Sequence, residues 1–304
     1  PSAERAHHPL PAPAANPLPS PAIVSAMRRA PEFLAKFPAD RSIGFTLVEM
    51  IVSIVIAGVL VSMVAMFGRG QIDAYIDVSN RAQLADEADT ALRRVARDLQ
   101  SALPNSVRQS GSFLEFVPIR DAGRYRADVD NAGAGNFLDF TSTTDNSFDV
   151  LGPAVNVAAG DQLVIFNLGQ TGSDVYAGTS RRAISTGAGS VSSLQYDLGG
   201  LGQFPLASPQ GRFQIVSGPV TYQCNASAAG GTVLRHSGYA FAGTQPTTFA
   251  GATSAVLVGD VTACSFSYTP AVLQRNGLVV LSLTLTRNGE SVQLLHQVDV
   301  LNTP

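Results

Sequence analysis

The sequence predicts an α+β protein in which one long N-terminal α-helix packs on an antiparallel β-sheet head. Two observations lead to this fold class. An apolar run passes directly into an amphipathic segment of helical periodicity, which ends before Pro104. From Val107 to the end the period changes to two, and no repeating order of strand, helix and strand marks a parallel sheet.

Composition agrees with an exported, loop-rich domain. Only 14% of the 304 residues are charged, 28 are glycine, and the formal net charge is −3. This length allows one or two domains. Because there is no basic excess, nucleic acid is not expected as a partner.

The first residues do not carry the pattern of a folded segment. Residues 1–26 are rich in proline and alanine without periodicity, so we expect disorder. Met27 is the first methionine and is followed by Arg28 and Arg29. We therefore expect translation to start at Met27, with an unusually long leader as the alternative. Residues 27–44 then form a leader whose positive excess keeps it on the cytoplasmic side of a membrane.

The apolar run from Phe45 to Phe67 has 23 residues, and Glu49 is its only charged one. As a helix it measures roughly 34 Å, which is enough to cross a hydrocarbon core of about 30 Å. A carboxylate within such a span is costly, so Glu49 needs a partner. A secretory signal peptide would place its small cleavage-site residue after the apolar stretch, whereas Gly44 stands before it.

The segment Gly44-Phe45-Thr46-Leu47-Val48-Glu49 resembles the class III signal of type IV prepilins and pseudopilins. The resemblance implies that a membrane peptidase cuts between Gly44 and Phe45 and that the new amino group of Phe45 is methylated. It also implies that Glu49 of one subunit meets the Phe45 amine of a neighbour and sets the stagger of the two helices. A plain signal anchor, and a contact between Glu49 and its own terminus, are the alternatives.

Parts of the head strengthen this resemblance. Three head segments are similar to minor pilin-like proteins of the mannose-sensitive haemagglutinin (MSHA) pilus system, and so is Ala91–Leu99 of the predicted helix; the head segments are Arg212–Cys224, Ala263–Tyr268 and Glu290–Val298. The implied partners are other major and minor pilins, the prepilin peptidase and methyltransferase, the inner-membrane assembly platform and membrane lipid. The implied location is the inner membrane with a periplasmic head, and then the pilus at the cell surface. A type II secretion pseudopilin and a membrane-tethered adhesin are the rival interpretations.

Residues 68–104 predict the amphipathic half of the helix, after the membrane half at 45–67. Its apolar face repeats at spacings of three and four in Leu84, Ala88, Leu92, Val95, Leu99 and Leu103. Asp89–Arg93 and Arg94–Asp98 have the spacing of ion pairs along one helix. We therefore expect one helix over Phe45–Leu103, with weak points at Gly58 and at the glycines 68 and 70.

The head, residues 105–304, is predicted as short strands and long loops. We expect the loops over Asp121–Pro153 and Gly169–Gly189. The last two strands are the clearest, because alternating leucine and valine flank the hairpin signal Asn288-Gly289. The predicted strands are Phe113–Val117, Gln162–Asn167, Ser192–Asp197, Arg212–Val216, Val220–Cys224, Val233–Phe241, Cys264–Thr269, Gly277–Arg287 and Ser291–Leu301.

Little in the sequence indicates catalysis. No hydrolase, metalloprotease, phosphate-binding or dinucleotide motif occurs. We expect His236 and His296 to pack or hydrogen-bond within strands, and we predict no enzyme, no cofactor and no metal. The carboxylates of residues 121–149 are either solvated or line a calcium-binding loop, and their spacing does not match an EF-hand. They include Asp128, Asp130, Asp139 and Asp145.

The two cysteines, Cys224 and Cys264, are 40 positions apart. In an oxidising compartment they would form one structural disulfide, and in the cytosol two buried thiols. The membrane signal favours the disulfide. No Cys-x-x-Cys motif is present, so a redox centre is not expected.

Overall fold

A computed structural model describes residues 44–270 and 276–303. The predicted disordered segment and most of the predicted leader, residues 1–43, lie outside the described residues. The chain divides into two units, and the boundary lies between Ser62 and Met63. The α+β fold class is confirmed: one long helix is followed by antiparallel strands.

Among the described residues there is one helix, α1 (Leu47–Gln100). It has 54 residues and is continuous through all three glycines that were predicted as weak points. It begins two residues later than expected because Thr46 caps it. It ends before Leu103, where the chain turns to pair Ala102 with Pro118. Leu103 nevertheless stays fully buried.

In the part of the head that the structure describes, there are two sheets of different form and one strand pair. A seven-stranded antiparallel sheet has the order β1-β2-β11-β12-β13-β14-β15, a closed barrel has the order β10-β3-β4-β9-β7-β6, and β5 pairs with β8. The strands are β1 (Arg108–Ser110), β2 (Phe113–Phe116), β3 (Ile119–Tyr125), β4 (Ser147–Leu151), β5 (Val155–Val157), β6 (Gln162–Val164), β7 (Arg181–Ile184), β8 (Gly189–Val191), β9 (Ser193–Asp197), β10 (Arg212–Val216), β11 (Val220–Asn225), β12 (Gly231–Ser237), β13 (Thr253–Thr269), β14 (Gly277–Arg287) and β15 (Glu290–Val300).

The C-terminal part of α1 packs on the seven-stranded sheet. Every member of the predicted apolar face except Leu103 is buried there, and Leu84, Ala88 and Leu99 have no exposed surface; Leu103 is buried in a separate small core. These side chains meet the buried face of β14, which alternates from Val279 to Leu285. The 3.6-residue period of the helix and the two-residue period of the sheet thus meet in one core.

The barrel has its own core and was not predicted. Its aromatic centre places Phe148 against Phe213 at 5.3 Å and near Tyr125 and Tyr196. The two predicted loops are wrong in part, because β4 and most of β3 lie in the first and β7 in the second. These strands are only 4–7 residues long, and glycine and polar residues interrupt the sequence between them, so no long alternating pattern marks them.

Two predicted strands of the sheet also have different bounds. β12 stops at Ser237 rather than Phe241, since Gly238 turns the chain with a φ of 77°. β13 begins at Thr253, 11 residues before the predicted start at Cys264. The prediction missed this part because Asp260, at a φ of 55°, interrupts the alternation of inward and outward side chains although the strand itself continues. The final hairpin turns at Asn288-Gly289 as predicted, with Arg287 opposite Glu290.

Candidate functional site: the amino end of helix α1

The helix start is built by a side-chain cap. The hydroxyl of Thr46 accepts a hydrogen bond from the backbone N–H of Glu49 at 3.2 Å, and the carbonyl of Thr46 accepts one from Met50 at 3.1 Å. Thr46 is therefore the N-cap, and Glu49 lies at the third helical position, where its negative charge suits the helix dipole. Phe45 precedes the helix, so in this chain Phe45 and Glu49 are not on one helical face.

Glu49 has no ion-pair partner among the described residues. Its side chain is exposed, and so are those of its neighbours along the apolar run. Helix capping accounts for a carboxylate in the first turn of any helix. In an apolar environment, however, such a charge is costly unless a partner compensates it.

The apolar run presents its side chains outward. Phe45 is 72% exposed and Phe67 78%, and none of the intervening described residues is buried. This helix is long and apolar enough to cross a membrane, with a mean hydropathy of 2.7 in its most apolar stretch. Such a surface is costly in water, so it requires lipid or other apolar helices around it.

Gly44 is not required by the chain's own packing. A methyl group built at its α-carbon would meet nothing within 4 Å. Gly44 and Phe45 are both exposed and lie ahead of the first helical residue. The bond between them is therefore accessible, and any demand for glycine at this position comes from outside the fold.

This geometry coincides with a recognised motif. Residues 40–65 match the family model of the prokaryotic N-terminal methylation motif. The chain carries that methylation motif. The match covers the proposed cleavage site, the cap, Glu49 and most of the apolar run, and it supports the resemblance to type IV prepilins and pseudopilins. No curated protein and no solved structure matches the chain significantly.

The acidic loop of the head uses its carboxylates locally. Asp130 accepts hydrogen bonds from the backbone N–H groups of Ala132 and Ala134, which lower its pKa. Asp145 accepts one from the N–H of Asp139 at 2.7 Å. Among the described residues no three histidine, cysteine, aspartate or glutamate side chains form a cluster able to hold a metal ion.

The two strand histidines have different surroundings. His236 is buried, with Nδ1 2.7 Å from Ser254 Oγ and Nε2 2.9 Å from Gln223 Oε1. Its ring stacks on Phe249 at 4.2 Å. His296 lies on the half-buried face of β15. The His236 contacts are those of a packed, hydrogen-bonded residue, and they leave neither ring nitrogen free for a substrate.

Cys224 and Cys264 are joined by a disulfide, with their α-carbons 5.9 Å apart. The bridge links β11 to β13, which are not neighbours in the sheet. Both cysteines pack against the core shared by α1 and the sheet.

Two features were missed at the sequence level. The Thr46 cap has a recognisable signal, since Thr-x-x-Glu before an apolar run is the pattern of a capping box. The other is a clamp in which Arg287 binds Glu87 and Asp260, each at 2.7 Å. The clamp joins residues 27 and 200 positions apart, and no local sequence pattern indicates it.

Proposed function

We propose that this protein is a structural subunit of a type IV pilus, a minor pilin of the MSHA-like kind and closest to the MshO type. The observation that carries the proposal is the methylation motif over residues 40–65, which covers most of an exposed apolar run and precedes a folded β head. Its role would be to help initiate or build the filament, without enzymatic activity. The helix enters the filament core and the head is displayed at the surface.

Processing is the first step of this function. A prepilin peptidase cuts after Gly44, the leader stays on the cytoplasmic side, and the Phe45 amine becomes methylated. The mature protein remains in the inner membrane through residues 45–67, with its head in the periplasm. The accessible Gly44–Phe45 bond and the open space around Gly44 support this assignment.

Glu49 would then act in assembly. An α-amino group has a pKa of about 7.7–8.0 and is mostly cationic near neutral pH. In a packed helical core, the carboxylate of Glu49 offers that amine its counter-charge, and the exposed apolar surface supplies the packing. A neighbour shifted along the helix axis satisfies both charges, so the pair selects one stagger.

A minor rather than a major subunit is proposed because the head is large. Residues 105–304 contain both a seven-stranded sheet and a barrel, which is a large unit to repeat along a densely packed filament. The MSHA-like assignment rests on the three head segments and on the helix segment Ala91–Leu99, whose sequences are similar to those of minor pilins.

The decisive experiment is mass spectrometry of the mature N-terminus. In cells with a prepilin peptidase, the protein should begin with methylated Phe45. The Gly44→Leu variant should stay uncut, because the peptidase must accept the residue before the bond closely. Gly58→Leu is the matched control: a Cβ at this helical position also meets nothing within 4 Å, so processing should be normal.

The outcomes separate the rival interpretations. An uncut wild-type chain would contradict the pilin proposal and favour a tethered binding module. Normal cleavage of Gly44→Leu would show that this glycine is not the recognised residue.

A further inference from the structure

The side chain of Thr46 decides where helix α1 begins. In a helix that extended further upstream, the backbone N–H of Glu49 would donate to the carbonyl of Phe45, four residues earlier. The Thr46 hydroxyl accepts this hydrogen bond instead, at 3.2 Å. No described residue donates a backbone hydrogen bond to the carbonyl of Gly44 or of Phe45. Phe45 and Thr46 therefore separate the Gly44–Phe45 bond from the first helical residue, Leu47.

This helix start leaves the proposed cleavage bond open. Gly44 and Phe45 are exposed, and a methyl group built at Gly44 meets nothing within 4 Å. Inside a helix, by contrast, the carbonyl of each peptide bond is engaged by the N–H four residues later, and the side chains of the adjacent turn surround it. A peptidase has to reach both sides of the bond that it cuts. Only the non-helical form of this bond therefore suits cleavage.

The next favourable helix start upstream is the cleavage site itself. Glycine is about as good an N-cap as threonine, whereas apolar residues such as Phe45 are poor ones. With Gly44 as the N-cap, its carbonyl would accept the first hydrogen bond of the helix, from the N–H of Val48. That carbonyl belongs to the bond that the peptidase has to cut. In lipid an N–H group without a partner is costly, which favours this extension when Thr46 cannot act as the cap.

We infer that Thr46 is a positioning residue for processing. Its hydroxyl ends the helix and so keeps the Gly44–Phe45 bond in a non-helical conformation that the peptidase can bind. Thr46 acts through the backbone of the two residues before it, and not through direct recognition of its side chain. This inference rests on the proposed function, because it concerns the bond that a prepilin peptidase cuts.

Cleavage of the full-length precursor by a purified prepilin peptidase in detergent micelles tests this role. Thr46→Ser and Thr46→Asn keep a capping side chain, whereas Thr46→Val keeps the shape of threonine without its acceptor oxygen. We expect kcat/KM to stay within about twofold of the wild type for the first two and to fall about fivefold for Thr46→Val, which corresponds to about 1 kcal/mol.

The loss in Thr46→Val should lie in KM and not in kcat, because the helical fraction of the chain has to unwind before it binds. Ser53→Ala is the matched control. It removes a hydroxyl that donates to the Glu49 carbonyl inside the helix, so the helix start and the cleavage rate should not change.

Isotope labelling reports the helix start independently of cleavage. Gly44-Phe45 is the only Gly-Phe pair in the sequence. Glycine labelled at its carbonyl carbon, combined with phenylalanine labelled at its nitrogen, therefore selects this one peptide bond in a nuclear magnetic resonance spectrum. Without peptidase, we expect the chemical shift of the Gly44 carbonyl to be helical in Thr46→Val and non-helical in the wild type and in the two capped variants.

The outcomes distinguish this inference from the proposed function. An uncut wild-type chain would contradict the proposed function, and the inference with it. With a wild type that is cut, equal KM values for Thr46→Val and the wild type would overturn the inference alone. So would a non-helical Gly44 carbonyl in Thr46→Val. Cleavage of Thr46→Asn as slow as that of Thr46→Val would also overturn it, because the peptidase would then recognise the threonine side chain directly.

Discussion

At the residue scale, His236 is a side chain whose protonation the fold opposes. Burial lowers its pKa below the ordinary 6.5. The folded state therefore binds fewer protons than the unfolded state at mildly acidic pH. The contribution of His236 to stability is present above pH 6.5 and is lost as the pH falls through its folded pKa.

We predict that His236→Gln makes the unfolding free energy of the head less dependent on pH. Glutamine retains hydrogen-bonding capacity toward Ser254 and Gln223 but does not titrate. Urea unfolding between about pH 8 and about pH 5 measures the effect, because the wild type crosses the titration range of a histidine there. His296→Gln is the control, since it leaves the His236 contacts intact. An unchanged pH dependence in His236→Gln would assign the acid sensitivity to other groups.

A second feature at this scale is the ion pair between Arg108 and the buried Glu115. Glu115 is fully buried, and burial raises its pKa despite the contacts with Arg108 and with the Tyr239 hydroxyl at 3.0 Å. Arg108 also places its guanidinium 3.5 Å from the centre of the Tyr176 ring. One arginine thus compensates a buried charge and contacts a core aromatic residue.

We predict that Arg108→Ala destabilises the head by about 3–5 kcal/mol, because a buried carboxylate is left without its cation. Adding Glu115→Gln should recover part of that loss, since the neutral amide costs less to bury. Denaturant unfolding of the two single variants and the double variant measures the coupling. If the effects of the two changes simply add, the pair is not energetically coupled.

Asp98 shows that the spacing of charged residues along a helix does not determine which partner a carboxylate binds. Its spacing predicted an ion pair with Arg94, but it lies 3.1 Å from Arg235 Nε and accepts a hydrogen bond from the Tyr222 hydroxyl at 2.8 Å. That prediction was wrong because two partners on the sheet, half-shielded from water, compete better than one exposed arginine on the same helix. Asp89–Arg93, which has no such competitor, forms as expected at 2.6 Å.

At the element scale, long regular patterns were predictable and short ones were not. The helix face and the β14–β15 hairpin repeat over enough residues for their periods to be clear. The barrel strands are stabilised by one another through Phe148 and Phe213, which are 65 positions apart in sequence. The Arg287 clamp is hidden for the same reason, because its partners are 27 and 200 positions away in sequence. By contrast, the candidate site at the amino end of α1 could be predicted from sequence, because its motif is one contiguous segment.

The disulfide acts between elements, and its loss should destabilise the head by about 2–5 kcal/mol. We expect this from replacing Cys224 and Cys264 together with serine, without an effect on membrane insertion. Denaturant unfolding measures the change, and membrane fractionation is the control. Thiol labelling of the unfolded, unreduced wild type checks the premise, since two reactive thiols would contradict the bridge.

At the scale of the whole molecule, the chain separates two surfaces. The apolar surface of residues 45–67 is suited to lipid and to other helices, whereas the head buries its own cores and exposes mainly polar residues. Glu49 is the one charge within the apolar surface. The proposed function therefore predicts that Glu49 matters for assembly and not for anchoring.

We predict that Glu49→Ala enters the membrane at least as well as the wild type, because the span becomes more apolar. Cleavage should survive, since Gly44 and Phe45 are unchanged. In the filament, the Phe45 amine of a neighbour would be buried without its counter-charge, at a cost of several kcal/mol. The variant should be processed and membrane-embedded but depleted from sheared pili, as measured by immunoblot of the pilus and membrane fractions.

Matched variants isolate the charge from the shape. Glu49→Gln keeps the size without the charge and should behave like Glu49→Ala, whereas Asp73→Ala removes a carboxylate beyond the apolar run and should assemble normally. In the family that the motif resembles, a subunit at the extreme tip has no subunit ahead of it, so a requirement for Glu49 would place this protein below the tip. Equal incorporation of Glu49→Ala and wild type into pili would show that Glu49 does not set the stagger, and the tethered-module interpretation would gain.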